Sequence, residues 1–276
     1  MELLKLGSKG ENVKIVQKKL GLTADGIFGK KTEAAVKEFQ KKNGIYPDGM
    51  VGAKTWPLIL ATSNNNPATV TNTNSKQVDP SVVYAPLKAC ISKLANRTIK
   101  YIAIHYTAGA SSAPGRAVSM KNTWEKNKNA SADFGVDDRD MVQFNPDLKN
   151  YYCWSVGDAK KTAGGGAQLY GKATNRNTIS IEVCSNLKKG YSASKVNHEG
   201  WYYTEESLAN AVKLVKILMK KFNIPIENVV RHYDISGKIC PGIVGWNNYI
   251  LYDKDGNKTN KKNNSDKWKA FKERLK

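Results

Sequence analysis

Histidine is scarce in this chain of 276 residues: only His105, His198 and His232 occur. Acidic residues are also few, 24 against 44 lysines and arginines, for a net charge of +20. No apolar run reaches the roughly eighteen residues a membrane-crossing helix needs, so no transmembrane segment is expected. Residues 1–8 carry no basic segment followed by an apolar core, which reads as the absence of a secretory signal and as synthesis in a cytoplasm. Four cysteines, Cys90, Cys153, Cys184 and Cys240, form no Cys-x-x-Cys pair. Without a secretory context a disulfide framework is not expected, and Cys90, Cys153 and Cys184 read as free, buried thiols. Helix-turn-helix, RNP and zinc-finger patterns are absent, so nucleic acid is not an expected partner. The positive charge still favours polyanions, with anionic membrane surfaces and the phosphate-rich polymers of a bacterial wall as candidates.

What is present divides by composition. Residues 63–80 are Asn- and Thr-rich and nearly free of large apolar side chains. Such a stretch cannot bury enough surface to order itself and reads as a flexible linker spanning about 20–25 Å. It separates a unit at 1–62 from a larger one at 81–276.

The first unit holds a repeat. Asp25-Gly26-Ile27-Phe28-Gly29-Lys30-Lys31-Thr32 recurs as Asp48-Gly49-Met50-Val51-Gly52-Ala53-Lys54-Thr55, offset by 23 residues. Each copy reads as an Asp-Gly turn feeding a helix. Ser8-Lys9-Gly10-Glu11 matches a capping box that opens a helix with Val13, Val16 and Leu20 on one face. A second helix is expected over 32–42, with Ala35, Val36 and Phe39 apolar and a stop at Gly44. A third should start near Thr55-Trp56.

In the second unit, residues 100–106 and 178–184 read as buried strands and 134–144 as a hairpin around Asp137-Asp138-Arg139-Asp140. Residues 204–222 form the best helical pattern, with Thr204 as N-cap and Leu208, Val212, Val215 and Leu218 in one stripe. A final helix is expected over 265–275. The stretch from Tyr249 reads as a solvated loop rather than a hairpin near the cleft. The expected fold class is α+β or α/β: a central mixed sheet flanked by helices, plus a small all-α three-helix N-terminal domain.

Three residues stand out chemically. His105 ends an alternating strand, where Tyr101 and Ala103 share its face and Ile102 and Ile104 point the other way. His232 and Cys240 are separated by seven residues including Gly237, a loop able to fold both side chains onto one ion. Three ligands of this type would leave a fourth position on zinc open, as in a catalytic rather than a structural site. Glu182 is the single carboxylate of an otherwise apolar strand, equally readable as a salt-bridged edge residue. His198 lies in a polar loop and reads as a surface or hydrogen-bonded histidine.

Two resemblances draw these features together. Residues 1–62 resemble the peptidoglycan-binding domain of the "PG-binding 1" type through Gly10-Glu11-Asn12-Val13, Asp25-Gly26-Ile27-Phe28-Gly29, Ala35-Val36-Lys37-Glu38-Phe39-Gln40 and Pro47-Asp48-Gly49-Met50-Val51-Gly52. The second unit resembles the zinc-dependent N-acetylmuramoyl-L-alanine amidases of the "amidase 2" type, which share the fold of a phage lysozyme and of the peptidoglycan recognition proteins. The matching segments are Ile102-Ala103-Ile104-His105-Tyr106-Thr107-Ala108-Gly109, residues 129–137, Thr178-Ile179-Ser180-Ile181-Glu182-Val183, and Arg231-His232-Tyr233-Asp234 with Lys238-Ile239-Cys240-Pro241-Gly242. The pairing looks like an endolysin or autolysin, released by a holin if phage-encoded.

The resemblance implies a zinc ion on His105, His232 and Cys240, and a zinc-activated water attacking the amide between the lactyl group of N-acetylmuramic acid and L-alanine. It implies Glu182 as proton shuttle, Lys238 as oxyanion stabiliser, peptidoglycan as partner of both units, and Thr107, Trp124 and Asn129 as groove residues. Ala132 stands where some relatives carry a catalytic Tyr, which favours a Glu-assisted mechanism. Asp133 stands where many have His. A zinc endopeptidase of the stem peptide remains an alternative. So does a non-catalytic recognition protein, although such members typically lose the Cys that this chain retains.

Overall fold

The computed structural model describes residues 2–52, 54–61, 76–161 and 163–276. The chain forms two compact units, 1–74 and 75–276. Residues 63–75, most of the expected linker, lie outside the described residues.

The first unit contains α1 (Glu11–Lys19), α2 (Lys30–Lys42) and α3 (Thr55–Ala61). Leu4, Val13, Val16, Phe28, Val36, Val51, Trp56 and Ile59 form its core. The repeat is built around two buried glutamines. Gln17 Nε2 donates to Asp25 Oδ1, the Ile27 carbonyl and Thr32 Oγ1 at 2.7, 2.9 and 3.1 Å, while its Oε1 accepts from Gly26 N. Gln40 repeats this with Asp48 Oδ1, the Met50 carbonyl and Thr55 Oγ1 at 2.7, 2.8 and 3.1 Å, and Gly49 N. The expected capping box does not form. Gly10 caps α1 at φ +120° with no side-chain cap bond, and its N–H is taken by the Gly26 carbonyl. Ser8 Oγ instead accepts from Lys5 N, closing the turn before it.

The second unit is built on a six-stranded mixed sheet. Its strands, in chain order, are β1 (Val83–Tyr84), β3 (Tyr101–Tyr106), β4 (Phe134–Val136), β5 (Met141–Gln143), β7 (Thr178–Val183) and β10 (Val229–Arg231), arranged β1-β5-β4-β7-β3-β10. Only the β4–β5 pair is antiparallel, the hairpin expected around Asp137. Short pairs flank the sheet: β2 (Ile91–Lys93) with β6 (Tyr151–Cys153), β8 (Asn186–Leu187) with β9 (Trp201–Tyr202), and β11 (Ile250–Tyr252) with β12 (Lys258–Lys262). The helices are α4 (Arg116–Asn127), α5 (Glu205–Phe222), α6 (His232–Ser236) and α7 (Asp266–Glu273).

The central strands are buried on both faces, as parallel strands covered by helices must be. Ile102, Ile104, Phe134, Ile179 and Ile181 pack with Ala211, Leu214, Val215 and Leu218 of α5. Thr204 Oγ1 caps α5 by accepting from Ser207 N at 3.1 Å. On the other face Ala103 packs with Val230, Ile235 and Val156, and Val142 and Phe144 pack with Ala117 and Met120 of α4.

Two expectations are corrected. Residues 76–80, read as the end of the linker, pack onto this unit: Val78 is buried in its core and its N–H donates to Gln143 Oε1 at 2.8 Å. The buried valine is joined by hydrogen bonds from Gln143 Nε2 to the Lys76 carbonyl and from Lys221 Nζ to the Val78 carbonyl, which a composition reading does not reveal. The segment after Tyr249 is not a solvated loop but the β11–β12 hairpin. Its base is fastened by Asn197, whose Nδ2 donates to the Tyr249 and Ile250 carbonyls at 3.2 and 2.7 Å and whose Oδ1 accepts from Asn247 and Asn263.

Candidate metal centre and cleft

The strand ends place the site. His105 is the fifth of six residues in β3, and Glu182 the fifth of six in β7; the two are register partners. His232 begins α6 directly after β10, the strand beside β3. All three thus stand at the C-terminal edge of parallel strands, where open α/β sheets gather their ligands. Arg231 fixes the start of α6 through its N–H and Nε to Asp234 Oδ2, at 2.8 and 2.9 Å, and Nη1 to the Trp246 carbonyl at 2.8 Å. Gly237 ends the helix at φ +79°, and the chain returns Cys240 to the histidines.

One ligand atom from each of His105, His232 and Cys240 lies within 4.8 Å of the others, and all three residues are buried. The imidazole centroids are 4.6 Å apart, and Cys240 Sγ is 3.7 Å from His105 Nδ1. His105 Nε2 and both ring nitrogens of His232 are buried without a hydrogen-bond partner. Asp158 Oδ2 lies 2.8 Å from His232 Nε2, but too far off the ring N–H direction to complete a hydrogen bond. Orphaned polar atoms cost about 1–3 kcal/mol each. Burial holds the His105 imidazole well below its ordinary value, reinforced by the charges of His232 and Lys238. Burial also lowers His232, with Asp158 opposing. Two neutral imidazoles with idle lone pairs beside a thiol fit a divalent cation of intermediate softness. The Cys240 thiol is pushed up mainly by burial, and a cation there would reverse that by drawing off its proton.

Glu182 Oε1 is 3.9 Å from His105 Nδ1, and Oε2 is buried without a partner. Burial raises the carboxyl to about 8, opposed by the nearby charge of Lys238. Lys238 Nζ is 3.3 Å from Asp158 Oδ2, and the Asp158 carboxyl is held well below the usual range, first by His232 and then by Lys238.

His105, His232, Cys240, Glu182 and Lys238 face a cleft of about 610 Å³, lined also by Thr107, Trp124, Trp154, Lys161 and Tyr249. Of the expected groove residues, Thr107 and Trp124 line the cleft. Thr107 Oγ1 is engaged by the N–H groups of Gly109 and Ser185, at 3.3 and 3.4 Å, and Trp124 stands edge-on to Phe144. Asn129 does not line it: the chain leaves α4 through Lys128 at φ +53°, and Asn129 faces solvent while Ala130 and Ser131 reach the wall. His198 is a hydrogen-bonded core residue, with Nε2 2.8 Å from the Ser192 carbonyl and Nδ1 accepting from Gly200 N. Cys90, Cys153 and Cys184 are free and buried. Asp133, which replaces an expected imidazole, accepts from Ser180 N, Ser180 Oγ and Asn145 Nδ2 and pairs with Arg97 at 3.3 Å, wholly inside the protein.

Asp158, Lys161, Trp154 and Tyr249 carry no signal in the sequence. They come from loops without periodicity, and only the fold brings Lys161, Trp154 and Tyr249 to the cleft and Asp158 to His232 and Lys238.

A mixed sheet with a buried His-His-Cys cluster opening to a cleft at its strand ends defines a candidate metalloenzyme centre. The chain belongs to the N-acetylmuramoyl-L-alanine amidase family, whose model matches residues 95–243, more than half of its length. A peptidoglycan binding domain model matches residues 9–59. Similar curated proteins include the N-acetylmuramoyl-L-alanine amidase CwlH of Bacillus subtilis (strain 168), 32% identical over 154 residues, 54% of this chain and 51% of that protein. XlyA of the same organism is 31% identical over 141 residues, 51% of this chain and 39% of that protein. The chain thus spans about half or less of the length of these relatives. Among solved structures, the catalytic domain of XlyA aligns at 28% identity and TM-score 0.43, over 70% of this chain and 96% of that one. PlyL aligns at 32% identity and TM-score 0.38, over 53% and 76%. Among the described residues, no helix is long and apolar enough to cross a membrane.

Proposed function

We propose that the protein is a peptidoglycan hydrolase that cleaves the amide between the lactyl group of N-acetylmuramic acid and the L-alanine of the stem peptide, using zinc. The observation that carries this reading is the buried His105, His232 and Cys240 cluster, its lone pairs idle, at the wall of a cleft that also holds Glu182. Membership of the amidase family and the activity named for CwlH and XlyA support the choice of bond.

His105, His232 and Cys240 would hold the ion. The chemistry supplied by zinc at such a site is Lewis-acid polarisation of a carbonyl and acidification of water. Glu182 takes a proton from the attacking water and returns it to the leaving amine. Its position beside His105, on the wall of the cleft, suits a group that passes a proton from water to the amine. Lys238 offers positive charge to the oxygen that becomes negative as the carbonyl carbon turns tetrahedral. Trp124 and Trp154 supply apolar walls against which a glycan or peptide can lie. Residues 1–62 hold the enzyme on the wall, and the net positive charge favours anionic wall polymers.

Digestion of purified peptidoglycan followed by end-group and mass analysis tests the reaction. The expected products carry new N-terminal L-alanine with glycan reducing ends unchanged. New amino termini elsewhere in the stem would replace the amidase by an endopeptidase, and intact peptidoglycan would leave only recognition.

A further inference from the structure

The proposed reaction leaves Asp158 without a role, although it touches two of the residues assigned one. Its Oδ2 is 2.8 Å from His232 Nε2 and 3.3 Å from Lys238 Nζ. Its side chain is about a third exposed, at 35%, whereas that of His232 is 1% exposed, so it reaches the buried ring from the solvent side.

We propose that Asp158 is a positioning residue of the metal centre, a carboxylate that fixes the His232 ring from Nε2 and holds the Lys238 ammonium beside it. The inference rests on His105, His232 and Cys240 being metal ligands. An imidazole ligand offers one nitrogen to the ion. Its other nitrogen carries a proton that seeks an acceptor, and a carboxylate there sets the tautomer and ring orientation and strengthens the ligand. Asp158 stands at Nε2, which leaves Nδ1, buried and unpartnered, as the atom presented to the metal. At 2.8 Å, Oδ2 is within hydrogen-bond reach of Nε2.

The backbone supports this pairing from both sides. The segment bearing Asp158 is pinned at its start by Asn175 Oδ1, which accepts from the N–H groups of Ser155 and Val156 at 2.9 and 2.7 Å. Past Asp158 it is fastened to the helix that His232 begins. Lys161 N donates to the Ser236 carbonyl at 2.6 Å, Ala167 N to that of Tyr233 at 3.0 Å, and Leu169 N to that of Asp234 at 2.9 Å. Tyr233 Oη in turn donates to the Gly164 carbonyl. The contact is so close that a Cβ on Gly237 would fall 1.6 Å from the Lys161 carbonyl oxygen, at a residue whose φ of +79° already requires glycine. Asp158 and His232 are therefore carried on segments locked to one another.

The test is zinc affinity of the full chain, measured by competition with a chromogenic chelator. Asp158→Ala should weaken zinc binding about 10- to 100-fold, the usual effect of removing such a partner. Asp158→Asn keeps an acceptor oxygen and should lose less. With cobalt in place of zinc and at saturation, the visible spectrum of Asp158→Ala should match wild type, because no ligand has been removed. Circular dichroism checks the fold, and Asp158→Ser replaces the Ala variant if that one fails to fold. Wild-type affinity in the Ala or Ser variant would overturn the proposal, as would a changed cobalt spectrum at saturation, which would make Asp158 a ligand. If wild-type protein itself takes up no zinc, the metal reading fails first; if wild type binds and the variant binds equally, only the role of Asp158 fails.

Discussion

His105 and Glu182 face each other across two neighbouring parallel strands, as register partners with Nδ1 and Oε1 3.9 Å apart. Parallel pairing sends both side chains to the same face of the sheet, so a candidate ligand and a candidate proton carrier share one rigid frame. Loops position such groups less well than strands do.

Glu182→Gln should keep this frame and lose the proton carrier. The expected outcome is a fall of about 100- to 10,000-fold in kcat, the usual contribution of general acid-base catalysis, with zinc content unchanged. Cys240→Ser should lose zinc as well as activity. Turbidity clearing of purified walls and metal analysis of the same samples separate the two effects. Wild-type clearing by Glu182→Gln would remove Glu182 from the chemistry.

The same carboxylate should weaken the metal-stripped protein at neutral pH. Its folded-state value, raised mainly by burial to about 8, lies above the ordinary carboxylate value. A folded state that holds the proton more tightly is favoured at low pH and loses that advantage as pH climbs through the folded value. Metal-free Glu182→Gln should therefore melt higher than metal-free wild type, by a margin that widens between about pH 5 and pH 8. Melting curves at several pH values check this, and a margin independent of pH would refute it.

His105 and Glu182 are legible in the sequence because both lie on period-two strands, where alternation alone assigns a face. The helix α5 is legible for the same kind of reason, from Thr204 and its apolar stripe. Asp158 is not, because its meaning comes from a helix 74 residues further on, at His232, and no local pattern encodes that distance. The β11–β12 hairpin escapes a sequence reading because its stability lies in Asn197, Asn247 and Asn263, three polar residues that read as loop until they meet. Ser8 satisfies a capping pattern, yet Gly10 at φ +120° turns the chain so that the bond goes elsewhere. Asn129 belongs to a recognisable segment, but Lys128 turns it outward.

Asp133 replaces an imidazole with a structural charge. Its side chain and that of Arg97 are 1% and 0% exposed, and Arg97 also donates to the Tyr151, Asn175, Arg176 and Thr178 carbonyls. Asp133→Ala leaves the guanidinium buried without its counter-charge, which costs about 3–5 kcal/mol. The carbonyls around Arg97 should hold the loss to the lower part of that range. Urea unfolding of the second unit checks it; a loss within about 0.5 kcal/mol, the size of an ordinary surface substitution, would show that the pair carries no stability.

The two glutamines of the first unit should be interchangeable in energy. Gln17 and Gln40 stand 23 residues apart, and each binds an Asp, a carbonyl, a Thr hydroxyl and a glycine N–H with nearly equal distances. Replacing either by alanine strands a buried glycine N–H, at about 1–3 kcal/mol for a buried unsatisfied group, while the carbonyl keeps its bond from the Thr hydroxyl. Because the two clusters repeat one geometry, Gln17→Ala and Gln40→Ala should lower the stability of the first unit by similar amounts and leave the unfolding of the second unit unchanged. Both variants should also bind walls less well at temperatures where the first unit begins to unfold. Denaturation of the full chain, read separately for each unit, provides the comparison. Strongly unequal losses would mean that the repeat preserves the shape of the turns but not their energetic weight.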